Sequence, residues 1–277
     1  MIAGVSSAER SSPAEARGEL FRQFSNTLIS VVVPVFNEAL NITANLTLLI
    51  GEVERYCPRF EILVISDGST DTTSDEVAAF GDPRVRLLAF ERNMGKGHAV
   101  RAGFAAAAGD YILFIDGGME LHPREIVIFL GLMSLYDADI VIGSKRHPQS
   151  QVYYPRFRKF LSRVFQSLVH MLFDVDVTDT QVGLKLFRRE VVEAILPDLR
   201  IDRYGFDLEI LTLAKLRGFG KILEAPIRMD YFMKNERALP LELKHVVRVG
   251  ASLLADTFRL YRRTRQLRRE TRDRSAA

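Results

Sequence analysis

Residues 29–38, ISVVVPVFNE, decide the fold. Ile29, Val31, Val32, Val33 and Val35 make a β-branched run of strand length. It closes around Pro34 and gives way to the polar pair Asn37 and Glu38. Such a continuous apolar run suits a strand covered on both faces. A helical pattern follows, with Leu40, Ile42, Leu46, Leu48, Leu49 and Val53 at helical spacing.

The same alternation continues downstream. EILVIS (61–66) reads as a second buried strand, and Asp67, Gly68, Ser69 and Thr70 make a turn with helix-capping chemistry. RVRLLA (84–89) reads as a third strand, 96–108 as an Ala-rich helix and YILFI (111–115) as a fourth strand ending at Asp116. Another helix is expected over about 123–136, and DIVIG (139–143) is a fifth strand. Strands alternating with helices predict an α/β fold: a doubly wound, mostly parallel sheet with both faces covered. Ligands in such sheets sit beyond the C-terminal strand ends. There the chain carries Asn37, Glu38, Asp67, Asp116, Ser144 and Lys145.

At 277 residues and 47% hydrophobic content, the chain can build a sizeable core. Its one cysteine, Cys57, excludes a disulfide framework and a cysteine zinc site, and fits a reducing compartment. The net charge of +3 is uneven: residues 259–277 hold eight arginines against Glu270 and Asp273, a balance of +6, which leaves −3 for the remainder. A basic tail suits an anionic surface or a solvated end. No window of about 18 uncharged apolar residues reads as a membrane span. The first residues lack the apolar stretch of a signal peptide and read as a flexible lead-in over 1–27.

From about residue 155 the character changes. In 155–173, Phe157, Phe160, Leu161, Val164, Phe165, Leu168, Val169 and Leu172 share one helical face, with Arg158, Lys159, Ser162, Arg163 and Gln166 opposite. Residues 240–262 repeat the style with Leu243, Val246, Val247, Leu253, Leu254, Phe258 and Tyr261. Either stripe can bury in the core or lie in a membrane interface. These are the expected C-terminal amphipathic helices. The division is a lead-in, a catalytic domain over 28–235, and a helix with Arg-rich tail over 236–277.

Five strings carry a resemblance: SVVVPVFNE (30–38), VISDGSTD (64–71), NMGKGHAVRAG (93–103), FIDGG (114–118) and DTQVGLKLF (179–187). In this order and at these intervals the chain resembles family 2 glycosyltransferases of the dolichyl- or polyprenyl-phosphate sugar transferase type. DTQVGLKLF and RYGFDLEIL (203–211) look closest to the glucosyltransferase branch, with the mannosyltransferase branch a near neighbour. The resemblance covers roughly 29–235 and implies a glycosyltransferase A-type fold that binds a nucleotide sugar. It implies inverting transfer of a hexose from UDP-glucose or GDP-mannose to a polyprenyl phosphate.

By that resemblance Pro34, Phe36, Glu38 and Asp67 line the nucleoside pocket, with Glu38 accepting from ribose hydroxyls and Asp67 from the base. Ser66 stands where the family usually has a first acid. Lys96, in the Gly95-Lys96-Gly97 turn, is expected to neutralise phosphate. Asp116 falls where the family places an Asp-x-Asp metal motif, but the second position here is Gly118. Asp116 and Glu120 are therefore expected to hold Mg²⁺ or Mn²⁺ together with substrate phosphates, since hard oxygen ligands suit these ions. Lys145, Arg158 and Ser162 are expected to bind the lipid's phosphate; an arginine fork and a hydroxyl suit that group. Asp179 is placed near the sugar, with Gln181 and Lys185 beside it.

The expected partners are a nucleotide sugar, a polyprenyl phosphate and a membrane surface, with a membrane-protein partner as an option and no nucleic acid. The expected location is cytoplasmic, peripheral on the inner face of the cell membrane. Two other readings stand beside this one: transfer to a sugar hydroxyl in glycan synthesis, and an inactive nucleotide-sugar-binding relic. Processive polysaccharide synthases carry a Gln-x-x-Arg-Trp signature, and this chain has no Trp.

Overall fold

The computed structural model describes residues 21–153, 165–173, 175–230 and 239–276. The expected strands form at β1 (Ile29–Val35), β2 (Phe60–Ser66), β3 (Val85–Ala89), β4 (Tyr111–Ile115) and β5 (Ile140–Ser144). Later strands are β6 (Gln151–Tyr153), β7 (Leu184–Arg188), β8 (Ile222–Pro226) and β9 (Arg228–Asp230). Helices are α1 (Ile42–Glu54), α2 (Thr73–Ala78), α3 (Lys96–Ala106), α4 (Ile126–Tyr136), α5 (165–172), α6 (Arg189–Ile195), α7 (Phe206–Leu216) and α8 (Leu239–Ala276).

Seven strands make one sheet in the order β3-β2-β1-β4-β7-β5-β8. All run parallel except β7, which is antiparallel to both β4 and β5. β6 and β9 form a small separate pair. Successive strand side chains point to opposite faces, so Val31 and Val33 serve one core and Val32 the other. The first core takes Ile42, Leu46, Leu49 and Val53 from α1 and Phe129, Leu130 and Met133 from α4. The second takes Val100 and Phe104 from α3, Val191 and Ile195 from α6, and Leu208 and Leu211 from α7. Both faces are therefore covered, as the continuous apolar strands require.

Some expected faces differ. Leu40 is 98% exposed and Leu48 is exposed as well, because α1 begins only at Ile42 and presents Ile42, Leu46, Leu49 and Val53 inward. In α5, Val169 is buried as expected, but Gln166 is buried too, its Nε2 donating to the Val177 carbonyl at 2.7 Å. The buried face of α8 is Asp256, Thr257, Leu260 and Thr264, while Leu254 and Phe258 of the expected stripe turn outward. Polar pairing explains this register: Arg263 bonds Glu209 of α7 at 2.9 Å and also reaches the Asp198 carbonyl. Leu243, Val246 and Val247 lie outside the side chains described, and Phe157, Phe160, Leu161 and Val164 lie outside the described residues.

Candidate active site

The strand order reverses between β1 and β4, with β2 and β3 on one side and the later strands on the other. Ligand crevices open at such a switch point. Here a cavity of about 330 Å³ lies, lined by Pro34 at the end of β1, Phe36 and Glu38 just past it, Asp67 after β2, and Asp116, Gly118 and Glu120 after β4. Asn93, Gly95 and Lys96 close it from the start of α3, and Arg203 and Tyr204 from the start of α7. The expected residues of the nucleotide side, Pro34, Phe36, Glu38, Asp67 and Lys96, thus share one cavity with Asp116 and Glu120.

The turn after β1 is locked to the one after β2. Asn37 takes a left-handed φ of 54°, which Asn tolerates, and its Oδ1 accepts from the Thr70 amide at 2.8 Å. The Glu38 amide donates to Thr73 Oγ1 at 2.8 Å, which fixes Glu38 at the cavity wall. Asp71, rather than Asp67, holds the turn ahead of α2, its Oδ1 accepting from the Thr73 amide at 3.0 Å. That turn holds the Asp71 carboxyl below its ordinary range, chiefly through the Thr73 hydroxyl.

Asp67 reaches across to the third loop instead. Its Oδ1 accepts from the Met94 amide and its Oδ2 from the Gly95 amide, both at 2.8 Å. Gly95 has a φ of 109°, open to glycine alone without strain, and α3 starts at the next residue. Asp67 therefore sets where α3 begins, and Lys96 with it.

Lys96 points back to β4: its Nζ lies 2.7 Å from Asp116 Oδ1, and 5.5 Å and 5.9 Å from the Phe114 and Phe206 ring centroids. Burial opposes its charge, but the carboxylates of Asp116, Asp207 and Glu120 outweigh burial and hold the ammonium above its ordinary range. Asp116 is located by its amide, which donates to the Gly183 carbonyl at 3.0 Å.

Behind them Lys185 is fully buried in the middle of the sheet, opposite Phe114 of β4 and Ile142 of β5. Its Nζ donates to the Val182 carbonyl at 2.5 Å and to Asp207. Burial raises the Asp207 carboxyl above its usual range, while the Lys185 and Lys96 ammoniums pull the other way. Lys185 thus does not stand beside Asp179; its partner is Asp207, because β7 is inserted between β4 and β5.

Lys145, Asp179 and Gln181 gather in a second cluster past the end of β5. The Lys145 amide and Nζ approach Asp179 Oδ2 at 3.1 and 3.2 Å, and the Lys145 Nζ also donates to the Gln181 carbonyl at 3.4 Å. Glu224 of β8 braces the cluster, accepting from the Thr178 and Asp179 amides at 2.9 and 3.1 Å. Thr180 Oγ1 and Gln181 Nε2 are buried with no partner among the described residues. The 179–183 segment leads from this cluster straight to Gly183 against Asp116. Arg158 and Ser162 lie outside the described residues. Sequence reasoning did not assign Asn93, Arg203 and Tyr204 to the cavity; the signal was the RYGFDLEIL string, whose first two residues form its far wall.

A divalent cation fits the front of this cavity on donor chemistry. Asp116 and Glu120 offer hard carboxylate oxygens, and Asp116 already has a cation, the Lys96 ammonium, as its neighbour. Among the described residues no group of three His, Cys, Asp or Glu side chains could hold an ion alone, so substrate oxygens would complete the shell.

Residues 30–196 match the family described as glycosyl transferase family 2. The chain is 35% identical over 219 residues to a dolichyl-phosphate beta-glucosyltransferase of Trichomonas vaginalis, covering 74% of this chain and 65% of that protein. It is 30% identical to the glycosyltransferase AglD of Haloferax volcanii, over 88% of this chain and 39% of that protein. The chain therefore spans less than two thirds of the length of either relative. Its fold is similar to a crystal structure of glucosyl-3-phosphoglycerate synthase from Mycobacterium tuberculosis with phosphoglyceric acid, at a TM-score of 0.67 and 20% identity, covering 88% of this chain and 83% of that one. The same enzyme with Mn²⁺, UDP-glucose and phosphoglyceric acid gives a TM-score of 0.63 at 22% identity, covering 87% and 83%.

Proposed function

The chain belongs to glycosyl transferase family 2, and from that premise we propose that it transfers glucose from UDP-glucose to a polyprenyl phosphate with inversion at the anomeric carbon. The observation that carries this reading is the joint lining of one switch-point cavity by Glu38, Asp67, Lys96, Asp116 and Glu120. Glucose and the lipid phosphate acceptor are supported by the dolichyl-phosphate beta-glucosyltransferase relatives. UDP is supported by the nucleotide in the structural neighbour.

The chemistry follows from the groups present. A phosphate monoester is largely doubly ionised near pH 7, its second pKa being about 6, so the acceptor oxygen attacks without a strong base. That oxygen bonds to the anomeric carbon, the bond from that carbon to the donor's phosphate oxygen breaks, and UDP leaves with the electron pair. No proton need move. Pro34 and Phe36 supply the apolar wall of the nucleoside pocket. Glu38 accepts from the ribose, and Asp67 holds the 94–95 amides and α3 in register. Lys96 at the start of α3 neutralises the departing diphosphate, where a helix N-terminus also favours negative charge. Asp116 and Glu120 would hold Mg²⁺ or Mn²⁺, which when bound offsets charge on the leaving diphosphate. Lys145, held by Asp179, takes the acceptor's phosphate, and Gln181 orients the sugar.

We also propose that α8 meets a membrane surface. No helix among the described residues is long and apolar enough to cross a membrane. Leu254 and Phe258 are 42% and 50% exposed, with exposed Arg259, Arg262, Arg265, Arg268 and Arg269 following. Each basic residue near an anionic surface is worth about 1 kcal/mol.

A panel of UDP- and GDP-sugars with a short polyprenyl phosphate, with and without Mn²⁺, tests the reading. UDP-glucose should be the preferred donor; preference for a GDP-sugar would overturn that choice. Anionic vesicles should retain the protein in low salt and release it in high salt; no retention would remove the membrane surface from the account.

A further inference from the structure

Asp116 is confined on two sides. A β-carbon at position 183 would stand 2.1 Å from its Oδ2, so that oxygen lies directly over Gly183. The other oxygen, Oδ1, holds the Lys96 ammonium at 2.7 Å. A divalent cation coming to Oδ1 therefore meets a positive charge already seated there, and two cations on one carboxylate oxygen repel. Lys96 has somewhere else to go. It lines the open cavity, about a third exposed, and its ammonium already lies within 6 Å of the Phe114 and Phe206 rings.

We propose that Lys96 is a built-in counter-ion that fills the cation position at Asp116 until a nucleotide diphosphate draws it away. The inference rests on the reading of Asp116 as a cation ligand and adds an order to binding. The divalent cation binds weakly to the free protein. The diphosphate takes the ammonium, uncovers Oδ1 and brings its own oxygens, so cation and nucleotide bind cooperatively. By linkage each tightens the other by the same factor.

Mn²⁺ titration followed by the electron paramagnetic resonance of the free ion tests this without any turnover. Lys96→Met keeps the apolar stem and removes the charge. In the absence of nucleotide it should bind Mn²⁺ about fivefold tighter than wild type, the upper end of what a partly exposed ion pair is worth. Lys96→Arg keeps the charge and should stay weak. Adding Asp116→Asn to Lys96→Met should abolish the gain. Circular dichroism and the melting temperature establish that each variant is folded. A folded Lys96→Met protein that binds Mn²⁺ no tighter than wild type overturns the proposal, as does a gain that survives Asp116→Asn. Absence of Mn²⁺ binding in every variant, with UDP as well as without it, would overturn the cation reading of Asp116 and this inference with it. Mn²⁺ binding that Lys96 does not affect would overturn the inference alone.

Discussion

Gly183 lies against the carboxylate of Asp116: its carbonyl accepts the Asp116 amide at 3.0 Å, and a β-carbon on it would stand 2.1 Å from Oδ2 and 2.3 Å from Cγ. The glycine of the DTQVG string is thus the floor on which the strand-four carboxylate rests. Gly183 belongs to the site through backbone and space, whereas Asp179 of the same string joins it through its carboxylate on Lys145.

Gly183→Ala should accordingly impair function more than folding. The atoms that must yield are the end of one side chain, so the fold can give way cheaply, yet the yielding group is the carboxylate itself. Overpacking typically costs about 1–3 kcal/mol, and the low end is expected here. Sugar transfer should fall at least about tenfold, on the scale of one misplaced charged group. Parallel measurements of melting temperature and transfer rate check this; a fully active Gly183→Ala enzyme would remove Asp116 from the reaction.

Asp67→Ala should weaken nucleotide binding through the loop as well as through any direct contact. It leaves the Met94 and Gly95 amides without their acceptor, a cost of about 1–3 kcal/mol. Asp67→Asn keeps one acceptor oxygen and should lose less. Calorimetric UDP affinities in the order wild type, Asn, Ala are expected; equal affinities would show that neither Asp67 nor the loop it holds contributes.

Lys185 and Asp207 form a buried pair whose members are unequal to any single replacement. Lys185→Met leaves Asp207 buried and uncompensated, and should cost about 3–5 kcal/mol. Replacing both with apolar side chains of similar volume should recover most of that stability, because neither desolvated charge remains. Denaturant unfolding of the two variants decides this. Equal stability loss in single and double variants would mean that packing, not charge, is what Lys185 provides.

Cys57 is buried in the first core, and burial pushes its thiol up to about 12. The folded protein should therefore resist thiol reagents near pH 8 and react only on unfolding. The sign of the stability effect follows: the unfolded thiol ionises from about pH 9 while the folded one keeps its proton, so stability falls as pH rises through that window. Unfolding at pH 8 and pH 10 compared with a Cys57→Ala protein isolates the contribution; an identical pH dependence in both would refute it.

Much of the fold was legible because β1, β2, β4 and β5 are mainly apolar runs punctuated by turns, while β3, with Arg86 inside it, is half-buried or exposed along its length. The antiparallel β7 was not. Its sequence, LKLFR, carries a lysine at its second position, which reads as exposure, and the burial of that lysine depends on Asp207 in a helix 22 residues onward. In the site, Glu38, Asp67 and Asp116 could be read from their positions just past strand ends. The partners could not: the bond of Asp67 to the 94–95 amides, of Asp116 to Lys96 and of Asp179 to Lys145 are long-range contacts that local pattern does not encode. The α8 register also rests on a distant partner: its inward face mixes Leu260 with Asp256, Thr257 and Thr264, Arg263 is held to Glu209, and of the apolar stripe Tyr261 packs against the second core while Leu254 and Phe258 face outward.

The central claim is tested most directly by following one reaction to its product. Purified protein is incubated with UDP-glucose, a short polyprenyl phosphate and Mn²⁺, and both products are quantified while proton NMR reads the anomeric configuration of the lipid-linked sugar. The account predicts UDP and a β-linked glucosyl phospholipid in equal amounts, and none of either from Asp116→Asn protein that remains folded. An α-linked product, release of UDP with free glucose alone, or full turnover by Asp116→Asn would contradict it.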